Sequence, residues 1–291
     1  DFTLRFPVDV SPENAKYTKV IKARELWNLI ISSATSTAEP GLLMWDNIIK
    51  FLPAECYADV GFKTISTNPC SELPLSANDS CRLMSINLKN FVTNSFQENA
   101  SFNFLLFKSV VSAAMRLSDD LVELEIEKLT KIEEITDTQD EKTLWGNLLR
   151  TCKDGRRTGL GTHGLADALA CMNLKYDSDD ACELTEKIYR TLRDEAYEES
   201  ISLARERGAF PVFDWGKEKN NLFIDNLPKM IVVSMAKFGR RNISILTNAP
   251  TGSVSIVSQT SSGIEPVFRN SYTRRRKLSH NEQNITPDFI D

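Results

Sequence analysis

A chain of 291 residues, 41% hydrophobic and 26% charged, has room for one large domain or two ordinary ones around a sizeable core. Its 35 Lys and Arg against 40 Asp and Glu give a formal net charge of −5, which argues against a protein that works by holding nucleic acid on a basic face. No run reaches the roughly 18 apolar residues of a membrane span, and six cysteines without a C-x-x-C pair, beside two histidines, argue against a zinc site or a disulfide-stapled domain.

In chain order, residues 2–8 alternate apolar and polar side chains and read as a strand. Over residues 19–38 apolar positions recur at helical spacing, with Leu26, Ile30 and Ala34 on one stripe, until Pro40 and Gly41 stop the helix. A second apolar patch, residues 42–52, ends at Pro53. Residues 61–80 lack a helical period and are rich in Ser, Thr, Asn and Pro, so a loop entered by a short strand is expected. Residues 82–92 alternate weakly. The middle is helical: residues 102–129 carry Leu106, Val110, Ala114 and Leu117 on one face, and shorter amphipathic pieces cover 143–152 and 160–172. The clearest helix spans 178–207. Ser178 and the acids after it suit an N-terminus, Leu184, Ile188, Leu192 and Ala196 form a stripe, and Gly208 and Pro211 end it. Residues 242–249 alternate like a strand and run into a turn. Strands interleaved with helices, without an internal repeat, favour an α/β fold. Cys56, Cys152, Cys171 and Cys182 read as small buried hydrophobes.

Three segments carry chemistry. In Asn68-Pro69-Cys70-Ser71-Glu72 a thiol is flanked two residues either side by an amide and an acid. In an extended loop, residues i and i±2 face one way. Asn68, Cys70 and Glu72 would then offer a hydrogen-bonding group, a sulfur reagent and a general base on one surface. Asp79-Ser80-Cys81-Arg82 follows, close enough to return across a hairpin. In residues 155–167, Gly159, Gly161 and Gly164 mimic the G-x-G-x-x-G phosphate pattern. No good strand precedes them, so close helix packing is their expected role, and His163 is expected to be structural. Pro250-Thr251-Gly252-Ser253-Val254, after a strand, can present backbone N–H groups and hydroxyls to phosphate.

In this order, N-P-C-S-E, D-S-C-R-L with S-I-N-L, R-R-T-G-L-G-T-x-G-L-A-D, N-A-P-T-G-S-V-S and S-S-G-I-E-P-V-F cover nearly the whole chain and resemble the large catalytic subunit of ribonucleotide reductase. The resemblance implies a ten-stranded α/β barrel with a central finger loop carrying a radical cysteine. By it, Cys70 becomes a thiyl radical and removes the ribose 3′ hydrogen, Glu72 takes the 3′-OH proton, and Asn68 hydrogen-bonds the sugar hydroxyls. Cys81 is one of two thiols that reduce the substrate while forming a disulfide. Pro69 and Ser71 line the substrate site, and Pro250, Thr251, Gly252, Ser253 and Val254 hold the substrate's phosphates. The implied partners are a ribonucleoside di- or triphosphate and a thioredoxin-type or other dithiol reductant. For the complete protein they include an ATP or dNTP effector and a second copy in a homodimer. Neither nucleic acid, membrane nor a metal-ligand set is implied, and a cytoplasmic enzyme is expected. The chemistry agrees: loss of the 2′-OH as water needs acid–base help, two electrons must come from a dithiol, and radical initiation needs a cofactor.

The wording of N-P-C-S-E, T-S-S-G-I-E-P-V-F and Tyr272-Thr273-Arg274-Arg275-Arg276-Lys277 looks most like members that use adenosylcobalamin. The alternative is the type that receives its radical from a separate metal-containing small subunit. A non-catalytic nucleotide-binding barrel competes from another class, and the intact Asn68, Cys70 and Glu72 set argues against it. The Cys81 motif disfavours a glycyl-radical relative, and the basic run at 274–277 reads as a solvated face. The only cysteine before Cys70 is Cys56, which has no matching motif, so the partner of Cys81 is missing. Residues 1–291 are therefore expected to form a single catalytic barrel domain, truncated at both ends and inactive alone.

Overall fold

Phe2–Phe6 (β1) and Tyr17–Ile21 (β2) pair antiparallel, with Leu4 opposite Lys19. The computed structural model describes residues 1–8, 10–80, 82–271, 273–274 and 289–290. Cys81, Tyr272 and the run Arg275, Arg276 and Lys277 lie outside the described residues. The chain divides into two units, Asp1–Ile48 and Ile49–Asp291. In the first, the helical repeat expected from residue 19 begins at Ala23–Thr37 (α1) instead. Thr18, Val20 and Ile21 are β-branched and find a ladder on β1, which overrides the weaker helical period. Trp45–Phe51 (α2) then falls across the boundary in sequence.

In the second unit, after a short helical stretch at Pro53–Val60, Thr64–Thr67 (β3) is the short strand expected at the entry to the loop, and it pairs antiparallel with Pro74–Ser76 (β4), a return strand that was not expected. Leu83–Asn87 (β5) follows, then the short antiparallel pair Val92–Thr93 (β6) and Ser101–Phe102 (β7). Phe104–Ile135 (α3) starts where the Asn103 side chain accepts from Leu106 N at 3.0 Å. Gln139–Gly155 (α4) begins the same way at Thr138.

Residues 160–172 are not one helix. Gly159–His163 is a strand (β8), and Leu165–Cys171 (α5) follows after Gly164 turns the chain at φ +73°. The strand forms because both of its edges are satisfied. β5 lies parallel on one side, in register from Leu83↔Gly159 to Asn87↔His163. On the other side Leu160 N donates to Ile245 O and Thr247 N to Leu160 O, both at 3.0 Å. Residues 242–249, expected as a strand, form no strand and make a single ladder bridge, Leu160↔Leu246. Gly159 and Gly161 serve this strand-to-strand approach, and Gly164 the turn into α5, instead of the helix packing expected of all three. A Cβ on Gly161 would strike the Thr247 carbonyl, and one on Gly159 would sit 2.9 Å from Thr247 Cγ2.

Asp179–Arg207 (α6) matches its sequence pattern: Ser178 Oγ accepts from Ala181 N at 3.3 Å, and Ile188, Leu192 and Ala196 are buried. Trp215–Glu218 (α7), Leu222–Asp225 (α8) and Lys229–Phe238 (α9) went unanticipated. Gly252–Ser258 (α10) is a short helix where a turn was expected, and Thr273–Arg274 (β9) pairs antiparallel with Phe289–Ile290 (β10). The core packs Phe107, Val111 and Met115 of α3 against Ile188 and Leu192 of α6 and against Ile86, Leu160 and Ile245. Each such buried side chain contributes about 1.5–3 kcal/mol. The described strands form five two-stranded pairings, without a closed barrel among the described residues. Cys152 and Cys171 are buried, as expected, and Cys56 is only half-buried. Cys182 is exposed instead, on the solvent side of the first turn of α6. No described helix is long and apolar enough to cross a membrane.

Candidate active site

The β3–β4 hairpin carries the first motif at its tip. Asn68 closes the loop through main chain and side chain. Its N–H donates to Leu73 O at 3.1 Å, its Oδ1 accepts from Leu73 N at 3.0 Å, and its Nδ2 donates to Glu72 Oε2 at 2.6 Å. Ser71 N donates to Asn68 O at 2.9 Å, with Ser71 at φ +67°. The segment is thus a tight turn, not the extended loop that i±2 alternation presumed. Asn68 and Glu72 meet because the turn folds back, and the Asn68 side chain supplies hydrogen bonds that a continued ladder would have made. Both are half-buried, and Leu73 behind them is fully buried. Pro69, Cys70 and Ser71 are exposed at the tip.

The motifs singled out along the sequence are bonded to one another. Thr247 Oγ1 donates to the carbonyl of Glu72 at 2.8 Å. Asp79 is ion-paired with Arg157 at 2.7 Å, both side chains buried, and Arg82 Nη1 donates to Arg157 O at 2.8 Å. Asn248 Oδ1 accepts from Thr162 N at 3.0 Å. Gly164 N donates to Ser261 O at 3.0 Å, and Asp167 Oδ2 accepts from Ser261 N at 2.6 Å. The Thr251 hydroxyl accepts from Gly263 N at 2.8 Å, and Ser255 meets Ser262 at 2.9 Å.

His163 is 3% exposed, with Nδ1 2.8 Å from Ser85 Oγ and Nε2 3.1 Å from Ser258 Oγ, in keeping with a structural role. Burial lowers its pKa, against the pull of Asp167. Thr251 adopts φ +56° and leads into α10, leaving Gly252, Ser253 and Val254 exposed. A cavity of about 430 Å³ lies there, lined by Asn87, Asn90, His163, Ser253, Val254 and Ser258 among others. A second, of about 490 Å³ and mainly apolar, is lined by Gly161, Tyr189, Thr247 and Asn248 among others. No group of three or more metal-ligating side chains occurs among the described residues.

Sequence reasoning missed Thr247, Arg157 and Asn248 as site-building residues. Arg157 and Asn248 stand inside quoted motifs and Thr247 directly before one, but nothing in spacing reveals their partners.

The family model described as ribonucleotide reductase, barrel domain, matches residues 8–290. A vitamin B12-dependent ribonucleoside-diphosphate reductase of Thermoplasma acidophilum is 33% identical over 271 residues, covering 91% of this chain and 29% of that protein. The large subunit of a ribonucleoside-diphosphate reductase of Variola virus is 26% identical over 288 residues, covering 94% of this chain and 34% of that protein. The fold resembles the Actinobacillus ureae class Id ribonucleotide reductase alpha subunit. That match has a TM-score of 0.62 at 24% identity, over 85% of this chain and 40% of that one. The chain thus spans about a third of the length of the curated relatives it matches.

Proposed function

This chain belongs to the ribonucleotide reductase family, through its barrel domain, and we propose that it carries the radical-bearing part of a site that reduces ribonucleotides to 2′-deoxyribonucleotides. The observation that carries this reading is the closure of the Cys70 turn by Asn68 and Glu72, with Glu72 bonded to the segment that runs into Pro250. The β3–β4 hairpin acts as the finger loop. The three parallel segments at 83–87, 159–163 and 243–247 belong to the ten-stranded barrel.

In this mechanism Cys70, exposed at the tip, acts as a thiyl radical and takes the 3′ hydrogen of the ribose. Glu72 takes the 3′-OH proton, and Asn68, whose amide already orients the Glu72 carboxylate, shares the sugar hydroxyls with it. The 2′-OH leaves as water. Cys81 and a second thiol give two electrons and become one disulfide, and the 3′ hydrogen returns from Cys70. One ribonucleotide and two thiols thereby yield one deoxyribonucleotide, one water and one disulfide, which an external dithiol reduces. Thr251, Gly252, Ser253 and Val254 receive the phosphates, and the relatives' names favour a diphosphate.

The exposed sulfur of Cys70 fits a radical that arrives from outside the loop. Adenosylcobalamin supplies that radical when bound, in line with the vitamin B12-dependent relative. The viral large subunit supports a second reading, with a separate radical-bearing subunit. The test is an assay of the complete protein with a ribonucleoside diphosphate, dithiothreitol and adenosylcobalamin. Deoxynucleotide is expected. Product with a radical-bearing small subunit and none with adenosylcobalamin overturns the cofactor assignment; product with neither overturns the function.

A further inference from the structure

We propose that Glu125 is a positioning residue for the reductive half of the reaction, holding the chain on both sides of Cys81. The inference rests on the reading of Cys81 as a reducing thiol. Glu125 sits on α3, and its two oxygens are shared between Ser80 and Arg82, the residues immediately before and after Cys81 in sequence. Oε1 accepts from Ser80 Oγ at 2.9 Å, and Oε2 accepts from Arg82 Nε. The Arg82 side chain is buried, so removing its carboxylate leaves a charge short of a partner. A second clamp completes the hold: Asp79 Oδ1 accepts from Ser80 N at 2.9 Å, Asp79 Oδ2 accepts from Arg157 Nε at 2.7 Å, and Arg82 Nη1 donates to Arg157 O. Asp79, Ser80 and Arg82 are thus tied to α3 or to the segment between α4 and β8.

The chain is therefore held at Ser80 and at Arg82, one residue to either side of the thiol in sequence. Disulfide formation is exacting in geometry, and a misplacement of about 1 Å in a reacting group costs on the order of 10²-fold in rate. With both oxygens engaged by Ser80 and Arg82, Glu125 acts through them. When the clamp is lost, Cys70 still begins the reaction, but the thiol pair meets the substrate radical late, and the sugar loses its base instead of being reduced.

The experiment compares Glu125→Ala, Glu125→Gln and Cys81→Ser in the complete enzyme with its radical source, a ribonucleoside diphosphate and dithiothreitol. Deoxynucleotide and free base are both counted, and thermal unfolding is followed in parallel. Glu125→Ala is expected to lower the ratio of deoxynucleotide to free base by about tenfold or more, with KM little changed. Glu125→Gln is expected to restore most of it, because its amide oxygen accepts from Arg82 and its NH2 donates to Ser80. An unchanged ratio in Glu125→Ala, whether or not its stability falls, overturns the proposal while leaving Cys81 in place. Normal deoxynucleotide formation by Cys81→Ser instead overturns the reading of Cys81, and the proposal with it.

Discussion

Thr247 Oγ1 donates a 2.8 Å hydrogen bond to the backbone carbonyl of Glu72, fixing the exit of the Cys70 turn to the segment that continues into Asn248 and Pro250. The proposed base and the proposed phosphate turn are therefore positioned from one residue. Thr247→Ala removes the bond without removing any group the chemistry uses. We expect kcat to fall by about tenfold with KM for the nucleotide little changed, and Thr247→Ser to recover it. Equal kcat for the Ala variant would show that the link does not position the turn.

Glu72→Gln keeps the shape of the side chain and can still accept from Asn68 Nδ2, so the turn should stay closed. It cannot take a proton. The expected result is a loss of about 10²-fold or more in turnover with the unfolding midpoint unchanged. A rate within a few-fold of the parent, by steady-state assay, would move the base to another residue.

Gly161→Ala tests the close approach beside the site. Its Cβ would meet the Thr247 carbonyl, which cannot swing away as a side-chain tip could. A loss of about 1–3 kcal/mol in urea unfolding is expected from overpacking. Gly41→Ala, where a Cβ meets nothing within 4 Å, is the control and should leave stability nearly unchanged. Similar midpoints for both variants would mean that the strands separate at little cost.

The parts of the fold legible in the sequence were those fixed by local signals. Ser178 and the stripe through Ile188, Leu192 and Ala196 specify α6 without help from elsewhere. β8 was illegible because glycine carries no side-chain pattern, and its ladder partners lie far off along the chain, at 83–87 and 244–247. At the tip, the set Asn68, Cys70 and Glu72 was legible as chemistry but not as conformation. Its turn depends on Ser71 at positive φ and on the Asn68 side chain standing in for the ladder. Thr247, Arg157 and Glu125 gain their roles only from tertiary pairings.

His163 carries a pH prediction. Burial holds its pKa below the ordinary histidine value, with Asp167 opposing. The folded state therefore binds fewer protons than the unfolded one. The contribution to stability is fully present above about pH 6.5 and is lost as pH falls through the depressed value. The midpoint of urea unfolding should fall on acidification across that window, and His163→Gln should flatten that part of the curve. An identical slope in both proteins would place the titration elsewhere.

The most direct test of the account is the fate of the nucleotide in Cys70→Ser, in the complete enzyme with its radical source and a dithiol. A serine hydroxyl cannot serve as the hydrogen-abstracting radical, and the Asn68–Glu72 closure does not involve the Cys70 side chain. The account predicts ribonucleotide binding close to the parent's, with neither deoxynucleotide nor free base formed. Deoxynucleotide above background from Cys70→Ser would contradict the assignment of the radical to this turn.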